Sequence, residues 1–208
     1  MEAVTRRAKR GFNLIEAAIV LGVVGLVIGS IWVGAATMYE NYKVNKTVEA
    51  LIMASQKLGE TISFADASSL PRGGTYAQLT SYCISAKIFP DDFYDGNKIV
   101  TPFNGGVIPS GHANGGSIVC TINPYLSGED KIEIIVGVET KQLCRKMVRA
   151  ITARFKNNNL LANILIFDVD NQNSSLFTNW PLDGSQCNSA WMDTPLQIRL
   201  RFNFLRIN

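Results

Sequence analysis

The N-terminal part of the chain has an unusual hydrophobic pattern, because from position 12 to position 39 apolar residues occupy every face of a helix. Glu16 is the only charged residue in that stretch. The span 17–36 is uninterrupted and about 20 residues long, which is the length needed to cross the hydrocarbon core of a bilayer. A secretory signal peptide has a shorter apolar region of about 7 to 15 residues, so the pattern indicates a membrane anchor.

Glu16 needs a partner in such an anchor. A carboxylate inside the hydrocarbon costs about 2 to 4 kcal/mol on insertion scales. Cutting the chain after Gly11 would create a new α-amino group on Phe12, and Glu16 of a neighbouring copy can form an ion pair with that amine. A plain anchor that stays uncut leaves Glu16 without a purpose.

Beyond position 39 the pattern becomes amphipathic, with apolar residues recurring at steps of three and four and polar residues on the other faces. The recurring positions are Tyr39, Val44, Val48, Leu51, Ile52, Ser55, Leu58 and Ile62. We predict one helix over residues 13–63, about 75 Å long at 1.5 Å per residue, whose second half lies on a domain. Gly25 and Gly29 in the first half form a small-xxx-small pair, which lets helices approach closely in lipid.

Residues 64–208 alternate between helical, strand and turn patterns, which predicts an α+β head with an antiparallel sheet. Helices are predicted over 76–87 and 139–155, and strands over 98–101, 106–108, 117–122, 131–138, 164–169 and 196–205. Alternation in the last strand places its apolar residues on one face and Gln197, Arg199, Arg201 and Asn203 on the other. Residues 170–194 are predicted to form a long loop that a disulfide holds in place.

Composition and charge argue against several classes of function. The net charge is +3, but four positive charges lie within residues 6–10, so the remainder is close to neutral and nucleic-acid binding is not supported. His112 is the only histidine, and the chain contains no Gly-x-Ser-x-Gly sequence. Asp168, Asp170 and Asn171 lack the spacing of a calcium loop. The inventory predicts that the chain is not an enzyme and has no cofactor or metal site.

The four cysteines, Cys83, Cys120, Cys144 and Cys187, all follow the apolar stretch and show no C-x-x-C spacing. An even count of this kind is typical of two disulfides in an oxidising compartment. Of the three possible pairings, we favour Cys83 with Cys120 and Cys144 with Cys187, because each bridge then stays within one half of the head. Each closed loop spans about 40 residues, and the chain-entropy relation gives about 4 kcal/mol per bridge.

The N-terminal residues resemble a known processing signal. The motif consists of the basic residues Arg6, Arg7, Lys9 and Arg10, then Gly11, the apolar Phe12, Glu16 five residues after the glycine, and a long apolar helix. It resembles the class III signal of type IV prepilins. In that family a membrane peptidase cuts after the glycine and methylates the new amine, and the glutamate aids subunit docking.

A second resemblance lies in the head. Residues 101–106, Thr-Pro-Phe-Asn-Gly-Gly, resemble the threonine, proline, aromatic, glycine, glycine segment of type IVb and conjugative thin-pilus pilins. Head size and cysteine count agree with that subclass. The leader of 11 residues is shorter than is usual there, and a phenylalanine after the glycine is more typical of type IVa.

The resemblance implies a pilin fold and a division into a leader at 1–11, an apolar half-helix at 12–36, an amphipathic half-helix at 37–63 and a head at 64–208. It implies cleavage and N-methylation at Gly11 and Phe12, and assembly through Glu16 and Phe12. The implied partners are other copies in a helical filament, a prepilin peptidase, the inner-membrane assembly platform and its ATPase, and the inner membrane itself before assembly. The implied location is then an extracellular pilus of a Gram-negative bacterium that serves adhesion, aggregation or conjugative mating.

Two alternatives stay open. A minor pilin or a type II secretion pseudopilin would share the first 60 or so residues, although pseudopilins generally lack a disulfide-bounded C-terminal region. A monomeric, membrane-anchored binding module belongs to a different class, and substitution of Glu16 distinguishes it, because only an assembling subunit should then lose its filaments.

Overall fold

The structure is a computed structural model that describes residues 13–64, 77–103, 117–123, 131–155, 161–168, 174–177, 182–188 and 196–202. The chain divides into two compact units, Met1–Asn41 and Tyr42–Asn208. The boundary lies a few residues beyond position 36, where the apolar half-helix was predicted to end. The second unit therefore includes most of the predicted amphipathic half-helix together with the head.

The N-terminal helix, α1, covers Leu14–Phe64 and has 51 residues. The prediction of one continuous helix over 13–63 is confirmed to within one residue at each end. The segment has no proline, and proline is the residue that most strongly interrupts a helix. Within the first unit nearly every residue of α1 is exposed, whereas from Val44 onward one face is buried.

The second unit is built on an antiparallel sheet. Its eight strands, counted over the described residues, are β1 Ala77–Gln78, β2 Tyr94–Asp95, β3 Lys98–Val100, β4 Ser117–Asn123, β5 Lys131–Val138, β6 Leu161–Asp168, β7 Ser174–Phe177 and β8 Leu196–Phe202. The hydrogen-bonded order is β2-β3-β4-β5-β8-β6-β7, and β1 also pairs with β4. Every one of these pairs is antiparallel. The predicted class, α+β with an antiparallel sheet, is confirmed.

Two further α-helices accompany the sheet, α2 Thr80–Ser85 and α3 Lys141–Phe155. Thr140 caps α3, because its hydroxyl accepts a hydrogen bond from the Leu143 N–H at 3.1 Å. The buried residues of α3 recur at helical spacing and are Leu143, Cys144, Met147, Val148, Ile151, Thr152 and Phe155. Short 3-10 helices cover Asp91–Phe93 and Ser185–Asn188.

One hydrophobic core unites the C-terminal part of α1, the sheet and α3. The α1 residues in this core are Val44, Val48, Ala50, Leu51, Ala54 and Leu58. Ion pairs at the margin of the core fix α1 further: Lys46 pairs with Asp92, and Glu49 lies 3.6 Å from Arg154. The amphipathic pattern of this half-helix thus correctly predicted that one of its faces is buried against the head.

The last strand, β8, is buried on both of its faces. Alternation separates apolar from polar side chains as predicted, but the polar face of β8 is buried as well, since Gln197, Arg199 and Arg201 are all at most 8% exposed. Arg201 is directly across from Glu133 on β5 and forms an ion pair with it. A buried carboxylate is tolerated there because the guanidinium compensates its charge.

Three local predictions need correction or fall outside the described residues. Residues 77–85 form β1 and α2 rather than one helix over 76–87. The predicted loop over 170–194 contains β7 and the 3-10 helix Ser185–Asn188. The strand predicted over 106–108 lies outside the described part of the chain.

Candidate functional site

Asn13 and Glu16 organise the charged end of the apolar helix. The Asn13 side-chain oxygen accepts a hydrogen bond from the Ile15 N–H at 3.3 Å, and the Asn13 N–H donates to a Glu16 carboxylate oxygen at 3.3 Å. This reciprocal arrangement is a capping box, which satisfies two N–H groups that have no partner inside the helix. The Glu16 charge also lies in the first turn, at the positive end of the helix dipole.

The capping box gives Glu16 a role within its own chain that was not expected. Contrary to the prediction from the sequence, Glu16 has a purpose even in a plain anchor, because a cap stabilises any helix start, by about 1 kcal/mol. The signal was readable in the sequence, since Asn-x-x-Glu before an apolar run is a capping-box pattern. Glu16 alone therefore does not distinguish an assembling subunit from an anchor.

Glu16 and Tyr39 bracket the uncharged part of α1. A helix separates them by about 35 Å at 1.5 Å per residue, and the hydrocarbon core of a bilayer is about 30 Å thick. By length and composition α1 is able to cross a membrane. A spanning α1 places the carboxylate near one interface, where the cost of the charge falls below the figure of about 2 to 4 kcal/mol for the bilayer centre.

Over the described residues of the first unit, 13–41, the surface is almost entirely apolar. Its exposed large side chains are Leu14, Ile15, Ile19, Val20, Leu21, Val23, Val24, Leu26, Val27, Ile28, Ile31, Trp32, Val33, Met38 and Tyr39. A Cβ atom added at Gly25 or Gly29 would meet nothing within 4 Å, so both glycines offer open backbone to an approaching helix. Only lipid or another protein surface can cover such a stretch.

A disulfide joins Cys144 on α3 to Cys187 in the 3-10 helix Ser185–Asn188, with the two Cα atoms 6.0 Å apart. This pairing was predicted from the sequence and is confirmed. It fastens part of the region predicted as a long loop to the helix that packs in the core. Both cysteines are completely buried.

The turn before Cys187 is held by several further contacts. Gly184 has a positive φ of 81°, and an added Cβ there would lie 2.9 Å from the Arg145 carbonyl oxygen. The Arg149 side chain donates a hydrogen bond to the Asp183 carbonyl oxygen. The Asp183 carboxylate accepts hydrogen bonds from the Ser185 hydroxyl at 2.7 Å and the Ser185 N–H at 2.9 Å, which lower the pKa of Asp183.

Cys83 and Cys120 are free thiols in the structure rather than the second predicted disulfide. Both side chains are completely buried, and Cys83 lies close enough to Cys120 to affect the pKa of its thiol. Burial, with a further contribution from Cys83, raises the pKa of the Cys120 thiol well above its ordinary value. The predicted pair of residues is thus brought together, but the covalent bond is absent.

A groove of about 390 Å³ lies between the C-terminal part of α1 and the 3-10 helix Asp91–Phe93. It is lined by Tyr42, Asn45, Lys46, Glu49, Met53, Pro90, Asp92 and Phe93. Its charged side chains are already engaged, because Lys46 pairs with Asp92 and Glu49 with Arg154. The groove offers a mixed surface for contact and no nucleophile paired with a base.

Several residues considered from the sequence fall outside the described part of the chain, namely Gly11, Phe12, His112, Asp170 and Asn171. Asp168 is the last residue of β6. Of the segment 101–106, the structure describes Thr101, which is buried, and the half-buried Pro102 and Phe103. Within the described ranges no group of three or more His, Cys, Asp or Glu side chains is placed to hold a metal ion.

Comparison with known proteins found no family model, no curated protein and no solved structure that matches the chain.

Proposed function

We propose that the chain is the structural subunit of a type IV pilus, of a IVb-like kind, which is anchored in the inner membrane by α1 and then polymerises through that helix into an extracellular filament. The single observation that carries the proposal is the first unit. Over its described residues, 13–41, it is a helix whose apolar side chains are exposed, with Glu16 forming part of the capping box at its start. The chain continues into a separately packed α+β unit that contains a disulfide.

The free energy of burying apolar side chains favours an environment in which this helix is covered by lipid or by other helices. Complete burial of one Val, Leu or Ile side chain is worth about 1.5 to 3 kcal/mol, and the first unit exposes a long series of them. Covering them together is worth on the order of ten kcal/mol or more. A bilayer meets this requirement before assembly, and a bundle of identical helices meets it in a filament.

In this proposal Glu16 sets the register between the α1 helices of neighbouring copies. Removal of residues 1–11 by a prepilin peptidase creates an amine on Phe12, which is then methylated, and Glu16 of an adjacent copy pairs with it. The Asn13 N–H occupies one oxygen of the Glu16 carboxylate, so the carboxylate can bind the neighbour's amine through its other oxygen or by leaving the cap. The cap contributes about 1 kcal/mol, which a buried, well-placed ion pair can offset.

The partners in the proposal are other copies of the chain, the prepilin peptidase, and the inner-membrane platform with its assembly ATPase. The filament serves adhesion, aggregation or conjugative mating. The subunit itself binds no nucleic acid, since the charge outside residues 6–10 is close to balanced.

Glu16→Gln and Asn13→Ala together test the proposal. Glutamine is also accepted at the third helical position of a capping box, so Glu16→Gln keeps the cap and removes the charge, whereas Asn13→Ala removes the side-chain cap and keeps the charge. In the native host we expect Glu16→Gln to abolish filaments, counted by electron microscopy, while membrane levels of the protein stay unchanged. Asn13→Ala should still form filaments. Normal piliation with Glu16→Gln would show that the glutamate serves only its own helix.

The capping box also favours a second candidate, a monomeric membrane-anchored binding module, because it accounts for Glu16 without any neighbour. Gly25→Cys separates the two candidates. Nothing lies within 4 Å of an added Cβ at Gly25, so a thiol there is tolerated and accessible to another helix. Disulfide-linked dimers on non-reducing gels of whole cells favour the filament subunit, and a monomer at the same expression level favours the module.

A further inference from the structure

The segment that contains β1 and α2 is fastened to β4 by the β1–β4 pairing and by further hydrogen bonds at Cys120. The Leu79 N–H donates a hydrogen bond to the Cys120 carbonyl oxygen at 3.0 Å. The Thr80 hydroxyl donates to the same oxygen at 3.3 Å and accepts from the Cys120 N–H at 3.3 Å. The first turn of α2 therefore lies directly against the backbone of Cys120.

Cys83 is on α2, three residues after Thr80, and residues three apart share one face of a helix. Its thiol consequently faces the same point of β4 as Thr80, beside Cys120. The Cys83 carbonyl oxygen is also held in place, because it accepts a hydrogen bond from the Tyr94 hydroxyl at 3.2 Å. Both backbones that carry the two sulfurs are thus fixed by hydrogen bonds of their own.

We propose that Cys83 and Cys120 form a second disulfide site whose redox state is decided while the chain folds and is then locked by the core. During folding, the thiolate of one cysteine attacks an oxidised disulfide compound, such as oxidised glutathione or an oxidised dithiol protein, and forms a mixed disulfide. The thiolate of the other cysteine then displaces the reduced half of that compound. In total two thiols lose two electrons and two protons to the disulfide compound, which leaves as a dithiol or as two thiols.

The lock follows from burial. Both side chains are completely buried, and exchange requires a thiolate to approach a disulfide sulfur in line. The raised pKa of Cys120 further lowers the fraction of thiolate at neutral pH. A head that folds with the pair reduced therefore keeps it reduced, and a head that folds with the pair joined hides the bond from reductants. The inference does not depend on filament assembly and requires only that the folding chain meets an oxidised disulfide compound.

The test uses the full-length chain in detergent micelles. One sample is unfolded, reduced and refolded in a mixture of reduced and oxidised glutathione; a second is refolded in a reductant that is then removed. Peptide mass spectrometry should show the Cys83 peptide joined to the Cys120 peptide in the first sample. The second sample should contain both as thiols, and adding oxidised glutathione after folding should leave them unchanged.

Alkylation by iodoacetamide measures the lock directly. In the folded, reduced sample we expect Cys83 and Cys120 to be alkylated at least about a thousand-fold more slowly than in denaturant, since only the rare open state reacts. Oxidation or alkylation of the folded pair within about tenfold of the denatured rate would overturn the lock. Recovery of Cys83 and Cys120 as thiols, or joined to other cysteines, after refolding in glutathione would overturn the disulfide site itself.

Discussion

Gly184→Ala is the substitution whose cost the structure defines most sharply. Gly184 has a φ of 81°, in the left-handed region, and an added Cβ would lie 2.9 Å from the Arg145 carbonyl oxygen and 3.0 Å from the Arg145 Cα. Both neighbours are backbone atoms of α3, so no side-chain rotation relieves the clash. The nearby Cys144–Cys187 disulfide prevents the turn from simply moving away from the helix.

Gly96 provides a matched control. It also has a positive φ, 58°, but an added Cβ there would meet nothing within 4 Å. Gly96→Ala should therefore cost only the left-handed conformation, about 1 to 2 kcal/mol. Gly184→Ala should cost that amount plus the overpacking against Arg145, about 1 to 3 kcal/mol more.

The difference is measured by thermal unfolding of the two variants and the parent in the same detergent. For a unit of this size about 1 kcal/mol corresponds to roughly 3 °C in Tm, so Gly184→Ala should melt about 3 to 9 °C below Gly96→Ala. Mass spectrometry must show that the disulfide is intact in both. Equal melting temperatures would refute the reasoning, because the close approach of Gly184 to α3 would then carry no cost.

Three other predictions concern stability. Replacing Cys144 and Cys187 together by Ser should lower the free energy of unfolding in urea by about 4 kcal/mol, the loop-entropy value for a separation of 43 residues; a loss below about 1 kcal/mol would contradict it. When the protein is folded with Cys120 reduced, the pKa of this thiol is raised above its ordinary value of 9.0. The contribution of this group to the free energy of unfolding should therefore be fully present below pH 9 and be lost as the pH rises beyond 9. Melting at pH 8 and pH 10 checks this against the Cys83–Cys120 disulfide form, in which Cys120 does not titrate, and the fall in stability should be larger in the reduced form than in this control. Arg201→Met removes the guanidinium paired with buried Glu133 and should cost about 3 to 5 kcal/mol, part of which Glu133→Gln in the same chain should restore.

Local patterns in the sequence predicted α1, α3 and β5. The bounds of α1 follow from its uninterrupted helical pattern, and α3 from the spacing of Leu143, Met147, Ile151 and Phe155. β5 was predicted at its observed bounds because a run of isoleucines and valines leaves little choice. The Cys144–Cys187 pairing also followed, since local closure is the simplest arrangement of the four cysteines.

Features that depend on contacts distant in sequence could not be read in this way. The burial of Arg199 and Arg201 requires the second face of the sheet to be covered, which alternation in one strand does not report. β7 was missed because Ser174 and Ser175 carry no apolar alternation, and it exists through pairing with β6. The positive φ of Lys87, 50°, belongs to the end of α2 and contradicts residue preference.

The position of β8 in the sheet bears on how the second unit can form. This strand is the last of the described elements along the chain, yet it lies between β5 and β6. A chain cut short before Leu196 would leave the sheet as two separate halves, each with an unsatisfied edge open to other molecules. The chain must therefore be synthesised through β8 before the sheet can be completed, and premature termination should yield aggregation and proteolysis rather than a smaller stable protein.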